Sequence, residues 1–221
     1  MATYLITGAN SGIGLEYCRQ LQKRGETVIA VCRRSSPELD ALGVRVETGV
    51  DITEDAAVNT LADRLQGNTI DVLINNAGLL ERVTLKDLDF ESIRRQFEVN
   101  ALGPLRVTHR LLGNLRSGSK VILMTSRMGS IGDNTSGSSY GYRMSKVALS
   151  MAGKSLAHDL KPQGIAVAIL HPGLVSTPMT HFIPSGISPQ ESVRGLLARI
   201  DALDLSNSGT FWHANGEILP W

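Results

Sequence analysis

Short, nearly continuous apolar runs alternate along the chain with longer stretches whose apolar residues recur every three or four positions. The short runs read as strands: Thr3–Thr7, Thr27–Cys32, Val44–Gly49, Ile70–Asn75, Lys120–Thr125, Ile165–Leu170 and a last one near Gly209–Trp212. The longer stretches read as helices. Gly12–Arg24 carries Ile13, Tyr17 and Leu21 on one face and ends at Gly25. Thr53–Leu65 is spaced through Ala57, Leu61 and Leu65. Leu85–Leu112 is expected to break at Gly103-Pro104, Ser139–Leu160 to stop at Pro162 and Gly164, and Pro189–Ala202 to close the series. No internal repeat, low-complexity block or linker interrupts the order.

Strands that are apolar throughout, rather than alternately, are buried on both faces, which is the mark of a parallel sheet covered by helices. Right-handed crossovers then make an α/β fold with a doubly wound parallel sheet in three layers, α/β/α, and the expectation is a single domain over residues 1–221. In such sheets ligands bind beyond the carboxyl ends of the strands, where the strand order reverses.

Composition agrees and removes several function classes. A chain of 221 residues can bury about 70% of its extended surface, enough for one core without staples. Lys and Arg number 22 against 21 Asp and Glu, so the net charge of +1 offers no footprint for nucleic acid or an anionic membrane. No apolar run approaches the ~18 residues that span a bilayer, and the first residues lack the basic lead of a signal peptide. Cys18 and Cys32 read as reduced thiols, which makes the cytoplasm the default location. His109, His158, His171, His181 and His213 show no ligand spacing, so no metal site is expected.

Candidate chemistry begins in the loop Thr7-Gly8-Ala9-Asn10-Ser11-Gly12-Ile13-Gly14, between the first strand and the first helix. Gly8, Gly12 and Gly14 permit a tight turn and close approach of the backbone to a pyrophosphate, which the helix N-terminus favours. Asn10 and Ser11 add donors. After the second strand, where an NAD site usually carries a carboxylate for the ribose hydroxyl, this chain has Cys32-Arg33-Arg34. Arg33 and Arg34 match a 2′-phosphate, favouring NADP(H); solvated loop charges are the alternative reading.

Tyr142 and Lys146, at i and i+4, share one face of the long helix. A neighbouring ammonium favours phenolate and is expected to lower the tyrosine pKa. Ser126, just past the strand Lys120–Thr125, falls at the same edge of the sheet.

Thr7–Gly14, Asn75-Asn76-Ala77-Gly78, Asn100, Ser126, Tyr142-x-x-Ser145-Lys146 and His171-Pro172-Gly173-Leu174-Val175-Ser176-Thr177 occur in one order over nearly the whole chain. Together they resemble the short-chain dehydrogenase/reductase family, with its Rossmann-like fold. The strings Ser126–Asn134 and Gly216–Trp221 are similar to the small NADPH-dependent carbonyl reductases, the branch with sniffer-type and C-factor-like members.

The resemblance implies reduction of an aldehyde or ketone by hydride transfer from NADPH, with Tyr142 as general acid. Lys146 would lower its pKa and bond the nicotinamide ribose, Ser126 would polarise the carbonyl, and Asn100 would hold a water relaying protons toward Lys146. Asn75, Ala77 and Gly78 would line the cofactor groove, together with Ile13 of the glycine loop. Asp51 and Ile52 would meet the adenine, and Pro172, Gly173, Val175 and Thr177 the nicotinamide carboxamide. The stretch from Ser126 to Tyr142 is long, leaving Ser130, Ser138 and Ser139 as lesser serine candidates. Phe182, Ile183, Pro184 and Ile187 are expected to wall the substrate pocket.

A secondary-alcohol dehydrogenase of the hydroxysteroid type and a cofactor-binding C-factor-like signalling protein are the rival functions. The expected partner is a small carbonyl compound, with no nucleic acid and no membrane. The resemblance leaves a dimer, a tetramer and a monomer all open.

Overall fold

The computed structural model describes residues 1–221. One sheet of seven parallel strands organises the chain: β1 (Thr3–Thr7), β2 (Thr27–Val31), β3 (Arg45–Glu47), β4 (Val72–Asn75), β5 (Lys120–Met124), β6 (Ala166–His171) and β7 (Thr210–His213). Their order is β3-β2-β1-β4-β5-β6-β7. The chain works outward from β1 to β3, then crosses back to β4 on the other side of β1. That reversal opens a crevice at the carboxyl ends of β1 and β4, the place the sequence pattern points to for ligand binding.

Seven α-helices surround the sheet: α1 (Gly12–Lys23), α2 (Pro37–Asp40), α3 (Asp55–Arg64), α4 (Phe90–Phe97), α5 (Gly103–Arg110), α6 (Tyr140–Leu160) and α7 (Pro189–Asp201). Strand residues alternate between the two faces. Tyr4, Ile6, Val28, Ala30, Ile74, Ile122, Ala168 and Leu170 pack with Leu15, Cys18 and Leu21 of α1 and Val193, Leu196 and Ile200 of α7. On the other face, Leu5, Ile29, Val31 and Leu73 meet Val58 and Leu61 of α3 and Val107 of α5. Val121, Leu123 and Val167 meet Leu149, Ala157 and Leu160 of α6. Both faces are dry, which is why these strands read as unbroken apolar runs.

Two expectations are corrected. Residues 85–89 are not helical: Asp89 caps α4, its carboxylate accepting from the Ser92 N–H at 3.0 Å. The break expected at Gly103-Pro104 is instead a π-helical turn, Glu98–Leu102, that joins α4 to α5 without interrupting the rod. Pro104 follows this turn directly, at the start of α5, so the wider turn is where the rod accommodates the proline. The sequence pattern also passed over α2, a single turn capped by the Ser36 hydroxyl. No helix is long and apolar enough to cross a membrane.

Candidate active site

The site is built from the loops at the carboxyl ends of β1 to β6. Gly8 adopts φ +66°, and a Cβ there would lie 2.8 Å from the Ala77 Cα. A Cβ at Gly14 would strike the Gly8 carbonyl. Both glycines are therefore required by contact between backbones, one across the loops and one where α1 meets β1.

The Thr7 hydroxyl accepts from the Asn76 and Ala77 N–H groups at 3.0 and 3.1 Å. Asn76 answers through its amide, donating to the Thr7 and Gly8 carbonyls at 3.0 and 3.3 Å. These bonds fuse the first loop and the loop after β4 into one rim.

A cavity of about 590 Å³ runs along that rim. Of the residues expected to bind a cofactor, it is lined by Gly8, Asn10, Ser11, Gly12, Ile13, Arg33, Asp51, Ile52, Ala77, Gly78, Tyr142, Lys146, Pro172 and Thr177. Five others lie elsewhere. Gly14 is buried in packing behind the loop, and Arg34 is exposed outside the cavity. Asn75 closes β4 and turns inward, donating to the Thr108 hydroxyl at 3.0 Å. Gly173 and Val175 line a neighbouring cavity of about 330 Å³.

Asn76, Cys32, Val50, Thr53, Leu79, Val99 and Met179 join the lining unannounced. Only Asn76 carried a signal, since it stands in the same motif as Asn75, one position beyond the strand.

The donor set of this cavity fits a phosphorylated dinucleotide. Ser11 makes no side-chain cap for α1, and α1 has no acidic residue in its first turn, so the helix end keeps its positive character toward the cavity. Arg33 stands at the far edge with its side chain 78% exposed, its Nη1 3.9 Å from Asp51. Burial pushes the Asp51 carboxyl up, but bonds from the Thr53 N–H and hydroxyl and the Arg33 charge outweigh it, and the net direction is down.

Tyr142 and Lys146 come from the first two turns of α6. Thr125, after β5, holds this part of α6 against the sheet: its hydroxyl donates to the Lys146 carbonyl at 3.1 Å. The Lys146 ammonium lies 5.7 Å from the centroid of the Tyr142 ring and donates to the Met124 carbonyl at 2.8 Å. Ser126 caps a short 3₁₀ turn, Arg127–Gly129, its Oγ accepting from the Met128 N–H at 3.1 Å, which leaves its proton free to donate. Of the serine candidates, Ser126 lines the smaller cavity with Tyr142, and Ser130, Ser138 and Ser139 do not.

Burial pushes the Tyr142 phenol up to about 12, with the Ser126 hydroxyl pulling the other way. Burial also lowers the Lys146 ammonium to about 8. The tyrosine shift is opposite to the one its i, i+4 pairing predicts. Both groups lie out of water, where each disfavours its own charged form.

Asn100 sits on the π-helical turn, fully buried. Its Oδ1 accepts from the Leu79 N–H at 2.7 Å, and its amide donates to the Leu79 carbonyl at 2.8 Å and the Ser145 hydroxyl at 3.0 Å. Both amide N–H donors are engaged by protein. The side chain clamps the loop after Gly78 to α6, a role that the expectation of a water holder did not include.

The smaller cavity meets the larger one at Tyr142, which lines both. Its wall differs from expectation. Leu174, Val175, Met179 and Thr180 form it, whereas Phe182 is 65% exposed. His181 and Phe182 both adopt left-handed backbone, which turns the tip of this loop outward. Its base is tied by Ser176 donating to the Ile187 carbonyl and Ile187 to that of Leu174.

Comparison with known proteins agrees with this geometry. A family model described as short chain dehydrogenase matches residues 2–187. Over the whole of both chains the protein is 44% identical to the 1-hydroxy-2-glutathionyl-2-methyl-3-butene dehydrogenase of Rhodococcus sp. (strain AD45). It is 47% identical to C-signal of Myxococcus xanthus over 69% of this chain and 93% of that one. Among solved structures, the NADPH-bound carbonyl reductase from chicken fatty liver superposes with a TM-score of 0.92 at 27% identity, covering 100% of this chain and 99% of that one. The carbonyl reductase Sniffer of D. melanogaster gives 0.92 and 27% over all of both chains. With its seven-stranded parallel sheet and its tyrosine and lysine at the strand ends, this chain belongs to the short-chain dehydrogenase family.

Proposed function

We propose that residues 1–221 form one catalytic domain that reduces aldehyde or ketone carbonyls to alcohols with NADPH, Tyr142 acting as general acid. The observation that carries this reading is the position of the Tyr142 phenol, on the wall common to the two cavities and next to the Ser126 hydroxyl. A phenol and a donor hydroxyl on one wall can together bond and protonate a carbonyl oxygen. NADP-bound carbonyl reductases among the structural relatives support the choice of cofactor.

Ser11, Gly12 and Ile13 would hold the pyrophosphate, Arg33 the 2′-phosphate, Lys146 the nicotinamide ribose, and Pro172 and Thr177 the carboxamide. When bound, the nicotinamide supplies the hydride, which goes to the carbonyl carbon. Ser126 donates a hydrogen bond to the carbonyl oxygen. Tyr142 transfers its proton to that oxygen as it becomes an alkoxide, and Lys146 as the ammonium stabilises the phenolate left behind. Asn100 positions α6 through Ser145.

A second reading has one observation in its favour: the 44% identical relative is named as a dehydrogenase of a hydroxy compound. The same residues serve that direction in reverse, with Tyr142 as base. The likeness to C-signal is the support for a signalling reading.

NADPH consumption against aldehydes, quinones, diketones and ketosteroids, with the reverse reaction run on the product alcohols, tests the assignment. Tyr142→Phe is expected to bind NADPH and lose nearly all turnover. Full activity in that variant overturns the mechanism, and tight NADPH binding without turnover of any compound supports the signalling reading.

A further inference from the structure

The charge balance of the smaller cavity carries a statement about the substrate that rests on the carbonyl-reductase reading. Much of its wall is apolar, with Ile13, Leu80, Met128, Leu174, Val175 and Met179 contributing. Two guanidinium groups border it, and they differ. Arg127 is neutralised twice over: its Nε lies 3.1 Å from the Asp133 carboxylate, and its Nη2 donates to Glu217 at 2.8 Å.

Arg143 forms no ion pair. Its Nε donates to the Gly137 carbonyl at 3.0 Å, Nη1 to the Met128 carbonyl at 3.3 Å, and Nη2 to the Ser136 hydroxyl at 2.9 Å. These are neutral acceptors, so the charge stays uncompensated. They engage three of the five N–H groups, and two remain to meet a further acceptor.

The neighbouring groups do not supply the missing negative charge. Asp133 is committed to Arg127. His171, also on the wall, is buried and held neutral by that burial, down to about 3. The first turn of α6, where Arg143 stands, holds no acidic residue, and the helix end adds field of the same sign. Tyr142 and Arg143 both line this cavity, so the acid and the unpaired guanidinium border one hollow.

We propose that the substrate is a carbonyl compound bearing a carboxylate, which pairs with Arg143 while an apolar segment lies on Met179 and Leu174 and the carbonyl reaches Tyr142. A planar guanidinium with two free N–H groups is matched to a carboxylate.

The test uses two acid and ester pairs, 4-formylbenzoate and 6-oxohexanoate, each against its methyl ester, with NADPH. In the wild type the acid is expected to exceed its ester in kcat/KM by about tenfold or more, the worth of one charge-assisted pair. That ratio is expected to shrink as salt rises from about 0.02 M to about 0.5 M. In Arg143→Met the ratio is expected to fall to about one, and in Arg143→Lys to an intermediate value. Taking the ratio within each variant cancels any general effect of loosening residues 136–137. Esters consumed as well as acids in the wild type, or a ratio that survives Arg143→Met, overturn the carboxylate assignment alone. Consumption of neither aldehyde class overturns the carbonyl-reductase reading beneath it.

Discussion

The Asn100 amide donates to the Ser145 hydroxyl at 3.0 Å, and Ser145 donates in turn to the Tyr142 carbonyl at 2.8 Å. With the two bonds between Asn100 and Leu79, this chain of contacts links the loop beside the larger cavity to the residue that carries the phenol. Asn100→Leu removes both partners of the Leu79 backbone, at a cost of up to about 1–3 kcal/mol for each group left unsatisfied. Asn100→Asp keeps an acceptor for the Leu79 N–H and loses the donors. The expected result is lower kcat and lower stability in both variants, in Asn100→Asp because a carboxylate oxygen then faces the Leu79 carbonyl at a buried position. Urea unfolding and steady-state kinetics on the same preparations check this. Unchanged kcat in Asn100→Asp rejects the clamp.

Lys146 makes a pH-dependent contribution whose sign is unusual for a lysine. Its folded value of about 8 lies below the ordinary 10.5 because burial penalises the ammonium. Between those values the unfolded chain holds a proton that the folded chain has released, so stability rises with pH across that window. Below about 8 the full penalty applies, of order 3 kcal/mol. Lys146→Met is therefore expected to be more stable than the wild type at pH 7, less the bond to Met124, with the advantage shrinking as pH climbs from 8 toward 10.5. Buried groups that titrate in both proteins, such as Cys18, cancel in the difference. Denaturation of the two proteins at several pH values is the measurement. A gap independent of pH contradicts the assignment.

Particular residues show how far the sequence could be read. Ile165–Leu170 is apolar at every position because β6 is covered on both faces, so periodicity alone identified the strand and its layer. Tyr142, Lys146 and Ser126 were legible as a group, since the strand end and the helix start they occupy were both visible. The π-helical turn at Glu98–Leu102 was not, because no propensity separates it from α-helix, and Pro104 advertised a break instead. The family resemblance puts Phe182 in the pocket wall, from its place in the loop after Thr177. Its left-handed backbone, which faces it outward, has no counterpart in residue type. The direction of the Tyr142 shift depends on burial, which spacing along a helix does not report.

Gly8 provides a test of the rim. A side chain there meets two separate costs: left-handed backbone, about 1–2 kcal/mol, and contact with the Ala77 Cα. Gly25 has φ +77° and nothing within 4 Å of the point a Cβ would occupy, so Gly25→Ala incurs only the first. Gly8→Ala is expected to lose more stability than Gly25→Ala and to lose NADPH binding as well, because the shifted loop carries Ser11 and Gly12 away from the cavity. Equal stability losses, or intact binding in Gly8→Ala, contradict this account of the loop.

Arg33 and Arg34 are adjacent in the chain and differ in place, so they separate specific contact from general charge. Arg33 lines the larger cavity beside Asp51, whereas Arg34 is exposed outside it. Arg33→Ala removes the cation facing the 2′-phosphate and leaves Asp51, still ionised through its bonds to Thr53, to repel that phosphate. NADPH affinity is expected to fall by about 10–100-fold, as for loss of a charge-assisted bond, while NADH changes little. Arg33→Lys keeps the charge without the planar fork and is expected to fall between wild type and Arg33→Ala. Arg34→Ala is expected to bind both cofactors as the wild type does. Fluorescence titration of the two cofactors against the three variants measures each affinity. Comparable NADPH losses in Arg33→Ala and Arg34→Ala mean that the basic pair attracts the phosphate only through its net charge, and that Arg33 makes no defined contact.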